Sequence, residues 1–566
     1  MTRQLITSAL PYINGVKHLG NLAGSMLPAD VYARFLRQQG EEVLFICATD
    51  EHGTPAELAA LEEGLDVAEY CRLQHEIQAR LGEQYFLSWD FFGRSSSPQN
   101  AELTRHFAAR LEAEGLIEER VTEQVYAVDD QRFLPDRYII GTCPYCGYDS
   151  ARGDQCENCT RLLEPTQLIN PRSAVSGSTN LEVRESRHLF LKQSQLADDI
   201  RAWIDRQKGW PLLVTSIAYK WLDEGLRDRG ITRDLSWGVP VDRPGFEGKV
   251  FYVWFDAPIE YIGATKEWAD VDPERRDWRS WWYDADDVVY TEFMAKDNIP
   301  FHTVSFPATL IGSREPWKLV DYIKGFNWLT YFGGKFSTSR SVGVFMDAAI
   351  EILPADYWRY YLMANAPESD DSSFTWEGFA VAVNKDLADT YGNFVNRCLT
   401  FTKRTVGDRV PDGGAPGPAE AELQEELDRR VATYTDLTAD KQFRKATAEL
   451  RAIWATGNAY WEKSEPWKAA KTDPGRTAVI LRTAVNLVRL FSLLAVPVIP
   501  RSAGRALAAV EPDAARGWPE DVAAELTALA PGAAFEVPDV LFRKITDDDV
   551  AEWTARFGGP AEAASA

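Results

Sequence analysis

The sequence predicts an α/β chain in which a parallel sheet is interrupted by an insertion carrying a four-cysteine knuckle and is followed by an α-helical domain. Three observations predict it. The first fifty residues alternate apolar strand, loop, amphipathic helix and apolar strand. Four of the seven cysteines fall in two Cys-x-x-Cys pairs between positions 143 and 159. Beyond about Leu387 the apolar period is almost wholly helical.

Taken in order, residues 4–10 read as a first strand, 11–15 break it, 19–39 form a long amphipathic helix and 42–48 a second strand. In parallel sheets ligands bind outside the carboxyl ends of the strands, so the loops after Leu10 and Ala48 are expected to face one crevice. From about Gly115 the apolar runs shorten, and strand-like runs return at 249–255 and 287–293, which makes the middle section an insertion into the sheet. The helical stretch is broken by the Pro/Gly-rich residues 410–418, a loop between helices. The chain ends in small residues, 559–566, expected to be a disordered tail. No internal repeat is visible.

At 566 residues the chain exceeds the roughly 250–300 residues at which single cores stop growing, so two to four units are expected. An apolar fraction of 45% with 19 tryptophans supplies those cores and excludes a disordered polymer. The apolar run 490–499 contains Pro497 and falls short of the roughly 20 residues of a membrane span. The N-terminus lacks the basic head and apolar stretch of a secretory signal, so a cytoplasmic protein without membrane contact is expected. With 85 acidic against 61 basic residues the formal net charge is −24, which repels nucleic acid at long range; any RNA must be held by a local basic or stacking surface.

The strongest chemical signal is Cys143-Pro-Tyr-Cys146, nine residues, then Cys156-Glu-Asn-Cys159. Two such pairs close a tetrahedral thiolate cage around zinc, and four sulfurs leave no position for water, so the metal would be structural. The competing reading is a redox dithiol with two bystanders, but the spacing is doubled. An odd, clustered cysteine count fits a reducing compartment better than a disulfide framework.

Pro11-Tyr-Ile-Asn-Gly-Val-Lys-His18-Leu-Gly20-Asn21 follows the first strand and opens a helix, where free N–H groups attract phosphate. His18 there either donates to a charged transition state or merely packs and caps. Lys335-Phe-Ser-Thr-Ser339, after Gly333-Gly334, is a basic loop able to fold over a triphosphate or an ordinary Gly/Ser turn.

Together these segments resemble the HIGH and KMSKS signatures of class I aminoacyl-tRNA synthetases. The surrounding runs resemble the methionyl-tRNA synthetases: Thr7-Ser-Ala-Leu-Pro-Tyr12, Ala48-Thr-Asp-Glu-His-Gly-Thr-Pro55, Phe251-Tyr-Val-Trp-Phe-Asp-Ala-Pro258 and Ala295-Lys-Asp-Asn-Ile-Pro-Phe-His302. The resemblance runs from the first strand to about Ser464-Glu-Pro-Trp467 and includes the knuckle. It implies a Rossmann-like catalytic domain in two halves, 1–115 and 246–330, around a connective insertion with the zinc knuckle, 116–245. A KMSKS-type loop and stem-contact region, 331–386, a helical anticodon-binding domain, 387–540, and a C-terminal tail, 541–566, would follow.

The implied activity joins L-methionine to methionine tRNA through methionyl-adenylate made from ATP with Mg2+, in an enzyme expected to be monomeric. His18, Asn21, Lys335 and Thr338 would be catalytic, with Pro11, Gly20, Ser337 and Ser339 also at ATP. Leu10, Tyr12, Trp254, Ala257, Pro258, Tyr261 and His302 would surround the thioether. Without the resemblance these would be read as core. Asp50 would take the amino group, or alternatively cap a helix. Asn393, Arg397 and Trp467 match anticodon-reading positions, although a Trp after Pro466 is also ordinary packing.

Two positions depart from the family pattern. Asn21 replaces the second HIGH histidine, a variant familiar among archaeal- and eukaryote-type members, and Thr338 replaces the second KMSKS lysine. Thr338 keeps two other readings open: a specialised or spare paralogue that activates an amino acid for a non-tRNA acceptor, and an inactive RNA-binding relic.

Overall fold

The computed structural model describes residues 2–153, 156, 158–159, 161, 163–334, 336, 342–513 and 517–558. Strands β1 (Arg3–Ser8), β2 (Glu42–Thr49) and β3 (Phe91–Arg94) alternate with helices, among them α1 (Leu27–Gln38) and α2 (Val67–Gln84). A long antiparallel ribbon, β4 (Ile117–Ala127) with β5 (Leu181–Leu191), then leaves the sheet, and β6 (Val288–Ala295) and β7 (Tyr322–Phe326) complete it. The order is β7-β6-β1-β2-β3, all parallel, with Leu5 of β1 between Leu44 and Tyr290. The chain winds to opposite sides of β1, which places the ligand crevice at the carboxyl end of that strand.

The first strand ends at Ser8 rather than Leu10, and Ala9 N–H is tied to Phe293 O at 2.8 Å. The helix that follows starts at Leu19 and includes a π-helical stretch, Leu22–Met26, before α1. It is buried on nearly all sides, so its sequence amphipathicity understates its burial. The expected strand at 249–255 is a correction: only Val250–Phe251 is strand, and Val253–Asp256 is a helical turn. A short apolar run does not separate a strand from a buried helix, and here the turn is what aims Trp254 and Ala257 at one cavity.

The insertion also carries a three-stranded sheet of Ile139–Thr142, Ala151–Arg152 and Ile169–Ser173 beside the knuckle. Helices α3 (Asn393–Val406), α4 (Phe443–Ser464) and α5 (Pro474–Ala495) belong to the helical domain, with Pro418–Ala439 and Pro500–Val510. Helix α5 is long and apolar enough to cross a membrane, but its most apolar window is 89% buried in the fold. Within residues 541–566, α6 (Asp547–Phe557) packs Trp553 and Phe557 on Trp376; residues 559–566 lie outside the described residues.

One hydrophobic core runs from Ile6 in the sheet through Trp358 to the helical domain and Phe557. At its centre Arg359 is fully buried, paired with Asp30 at 2.7 Å and donating to the carbonyls of Tyr85, Pro497 and Val498. A charge so placed is tolerated because every donor direction it uses has an acceptor.

Candidate active site

The loops after β1 and β2 meet as expected. Ile13 N–H donates to Asp50 O at 2.9 Å and Asp50 N–H to Pro11 O at 3.0 Å. Gln78 on α2 holds the first loop from beneath through the carbonyls of Tyr12 (3.2 Å) and Gly15 (3.4 Å). The result is a crevice of about 530 Å3 lined by Pro11, Tyr12, Lys17, His18, Gly20, Asn21 and Asp50, among others.

His18 is the N-cap of the turn Leu19–Asn21. Gly20 N–H donates to His18 Nδ1 at 3.1 Å, and His18 N–H donates to Asn21 Oδ1 at 3.2 Å. A Cβ at Gly20 would lie 2.9 Å from the His18 ring, so this cap requires glycine. Because Nδ1 accepts, the proton of the neutral ring sits on Nε2. Burial and the neighbouring Lys17 push the His18 pKa down to about 4, so the ring is neutral at physiological pH. Capping and donation are therefore one arrangement: the cap selects the tautomer that can donate. Asn21 spends Oδ1 on the cap, which leaves its Nδ2 as a donor.

Lys335, Ser337, Thr338 and Ser339 lie outside the described residues. Phe336, between them, is described: its ring stacks on His18 at 4.6 Å and lies 5.6 Å from Tyr331. Phe336 thus meets His18, 318 residues earlier in the sequence.

Beside the crevice is a cavity of about 100 Å3 lined by Leu10, Asp50, Val253, Trp254, Ala257, Pro258, Tyr261, Asn298, Phe301 and His302. Seven of the eight residues expected around methionine line it. Tyr12 does not; its hydroxyl donates to His52 O at 2.5 Å and it faces the larger crevice. Val253, Asn298 and Phe301 were missed, though all three stand in the sequence runs that carried the resemblance. His302 Nδ1 is bonded to Asn298 O at 2.9 Å, so Nε2 accepts from Tyr261 Oη at 2.9 Å. Burial lowers the His302 pKa to about 4, which keeps it in that role. With both polar groups occupied, the lining suits a soft, unbranched side chain.

Asp50 does not cap a helix: the next one, Thr54–Glu63, starts at Gly53 without a side-chain cap. Its Oδ1 is buried with no hydrogen-bond partner among the described residues. Burial, then Asp256 and Glu51, push its carboxyl well above the usual range, and Lys17 pulls the other way. A buried carboxyl whose ionised form burial disfavours, with one oxygen left unpaired in a cavity, gains most from a cation brought against it.

The knuckle cysteines bring their four sulfurs within 4.8 Å of one another. Cys143 Sγ is 3.8 Å from Cys159 Sγ and Cys146 Sγ 3.6 Å from Cys156 Sγ, near the roughly 3.8 Å edge of a tetrahedron with 2.3 Å zinc–sulfur bonds. Tyr145 N–H points at Cys143 Sγ (3.4 Å) and Cys159 N–H at Cys156 Sγ (3.5 Å), the polarity thiolates need. These four residues fit structural zinc.

In the helical domain Asn393 and Arg397, one turn apart on α3, line a shallow groove with Asn458 and Glu462 of α4. Arg397 donates to Glu462 (2.5 Å) and Asn458 (2.7 Å). Trp467 sits just past the end of α4 on Pro466–Thr472, after Glu465 at φ +43°, and is 38% exposed. It is outside that groove's lining but is not core.

Comparison with known proteins extends this picture along the chain. The family described as tRNA synthetases class I (M) matches residues 4–399, and the anticodon binding domain of methionyl tRNA ligase matches 410–562. A methionine–tRNA ligase of Streptomyces avermitilis is 62% identical over 99% of this chain and 100% of its own length, and one of a Caulobacter species is 61% identical over the same shares. Among solved structures, Mycobacterium tuberculosis methionyl-tRNA synthetase in complex with methionyl-adenylate superposes with a TM-score of 0.76 at 26% identity, over 96% of this chain and 100% of that one. The two readings that Thr338 kept open gain no support from these relatives.

Proposed function

The chain belongs to the methionyl-tRNA synthetases of class I and is a methionine–tRNA ligase; on that premise we propose how its residues divide the work. The substrates are L-methionine, ATP with Mg2+ and methionine tRNA. In the first step a methionine carboxylate oxygen attacks the α-phosphorus. One P–O bond forms, the bond to pyrophosphate breaks, and pyrophosphate leaves with the electron pair. Neither a protein nucleophile nor a proton acceptor is required, so catalysis rests on placement and electrostatics.

Asp50 holds the methionine ammonium, and the cavity from Leu10 to His302 takes the thioether. Pro11, Gly20 and Asn21 bound the ATP side. His18, through Nε2–H, donates to the α-phosphate oxygens as their charge grows. Lys335, with Ser337, Thr338 and Ser339, closes over the pyrophosphate end. The 3′-terminal hydroxyl of tRNA then displaces AMP from the methionyl carbonyl. Asn393, Arg397 and Trp467 read the anticodon through hydrogen bonds and stacking. Zinc on Cys143, Cys146, Cys156 and Cys159 would brace the insertion. A monomer working in the cytoplasm is the state we infer, supported by the core that joins sheet and helical domain within one chain and by the burial of α5.

The observation that carries the assignment is the orphan Asp50 oxygen in the lining of the cavity that Trp254, Ala257, Pro258, Tyr261 and His302 also line. Exchange of labelled pyrophosphate into ATP tests it: exchange should need methionine and be lost in Asp50→Asn. Undiminished exchange in that variant would contradict it.

A further inference from the structure

Lys17 precedes His18 yet has no part in the assignments above. Only 9% of it is exposed, and its ammonium makes one side-chain hydrogen bond, to Asn14 Oδ1 at 3.0 Å. No carboxylate lies within ion-pairing distance of it among the described residues. A lysine this buried beside one neutral acceptor is unfavourable unless a negative charge nearby compensates. That charge is Asp50, across the staple that joins the two loops, and both side chains line the same crevice.

The carboxyl neighbours of Asp50 have partners of their own. Glu51 is gripped by Arg94 at 2.8 and 3.0 Å, and Asp256 is bonded to His52. Tyr12, Tyr261 and Cys71 also face Asp50, and none of them brings positive charge. Lys17 is left as the cation whose field falls on Asp50, and the effect is mutual: burial lowers the Lys17 pKa to about 8 while Asp50 raises it.

We propose that Lys17 is a positioning residue, the buried counter-cation that shares the crevice with Asp50, lowers the cost of holding that side chain as a carboxylate and so readies it for the methionine ammonium. A buried ion couple then meets the zwitterionic substrate, negative end to ammonium and positive end toward carboxylate. The proposal rests on the assignment of Asp50 to the amino group.

Methionine and ATP dissociation constants for the full chain, measured by calorimetry across the range from about pH 6.5 to 8.5, test it. Lys17→Met should weaken methionine binding about tenfold or more near neutral pH, since one pKa unit corresponds to a tenfold change in charged fraction. The loss should shrink as pH rises and Asp50 ionises unaided. ATP binding should hold within about twofold, and Lys17→Arg should restore methionine binding. Asp50→Asn should weaken methionine binding at every pH. If Asp50→Asn binds methionine weakly and Lys17→Met binds it normally, Lys17 is not the counter-cation. A Lys17→Met loss that is independent of pH and shared by ATP would make it a packing residue and overturn the proposal. Normal binding by Asp50→Asn would overturn the Asp50 assignment itself, and this inference with it.

Discussion

Phe336 lies flat on His18, with ring centroids 4.6 Å apart and planes 12° from parallel. The contact sets Phe336 against the helix cap that fixes the His18 tautomer. Tyr331 backs Phe336, Trp376 donates to the Tyr331 hydroxyl at 3.0 Å, and Phe557 packs on Trp376. Gly343 completes the fit: at φ +106° it leaves room that a Cβ would take from the Phe336 ring.

Phe336→Ala is accordingly expected to slow adenylate formation roughly threefold to tenfold, from loss of a ring pair worth about 0.5–1.5 kcal/mol. Methionine binding should be nearly unchanged. Pre-steady-state pyrophosphate exchange against methionine calorimetry separates the two; an equal effect on both would mean that the ring supports the whole crevice.

Zinc should be present at one atom per chain and should be lost in Cys143→Ser with Cys156→Ser. Elemental analysis of the purified chain checks it. Chelation should impair tRNA charging more than pyrophosphate exchange, because the knuckle sits in the insertion and the adenylate crevice in the sheet. Exchange that collapses first would show that the knuckle supports the sheet instead.

Trp467→Ala should impair charging of methionine tRNA while pyrophosphate exchange persists. A base stacked on an aromatic ring is worth about 1–3 kcal/mol, so a loss of roughly fivefold to a hundredfold is expected at fixed salt. Loss of both activities together would make Trp467 a core residue despite its exposure.

Much of this site was legible in the sequence, for identifiable reasons. Strand–loop–helix punctuation at Pro11 and Gly15 located the crevice, and the doubled Cys-x-x-Cys spacing gave the zinc ligands directly. The cavity proposed for methionine was legible only through the resemblance, since Trp254, Tyr261 and His302 have the composition of ordinary core. Residues 249–255 were misread as strand because an apolar run this short lacks a period. Nothing local marked Lys17 or the partnership of Phe336 with His18. Lys17 matters through a carboxylate in another loop, and Phe336 through a ring more than 300 residues away. Long-range pairings of that kind have no sequence period to betray them.

His18→Ala tests the central claim most directly, through methionine-dependent pyrophosphate exchange and the methionine dissociation constant measured on the same preparation. The account predicts that the rate falls about a hundredfold or more, the scale for losing one transition-state donor, while methionine binding is nearly unchanged. Because burial holds the His18 pKa to about 4, the ring stays neutral, with Nδ1 accepting from Gly20 and its proton on Nε2, throughout the range from about pH 6 to 8, so the deficit should be constant there. A variant that keeps its rate, or one whose rate loss is matched by an equal loss of methionine binding, would contradict the assignment of His18 to the transition state.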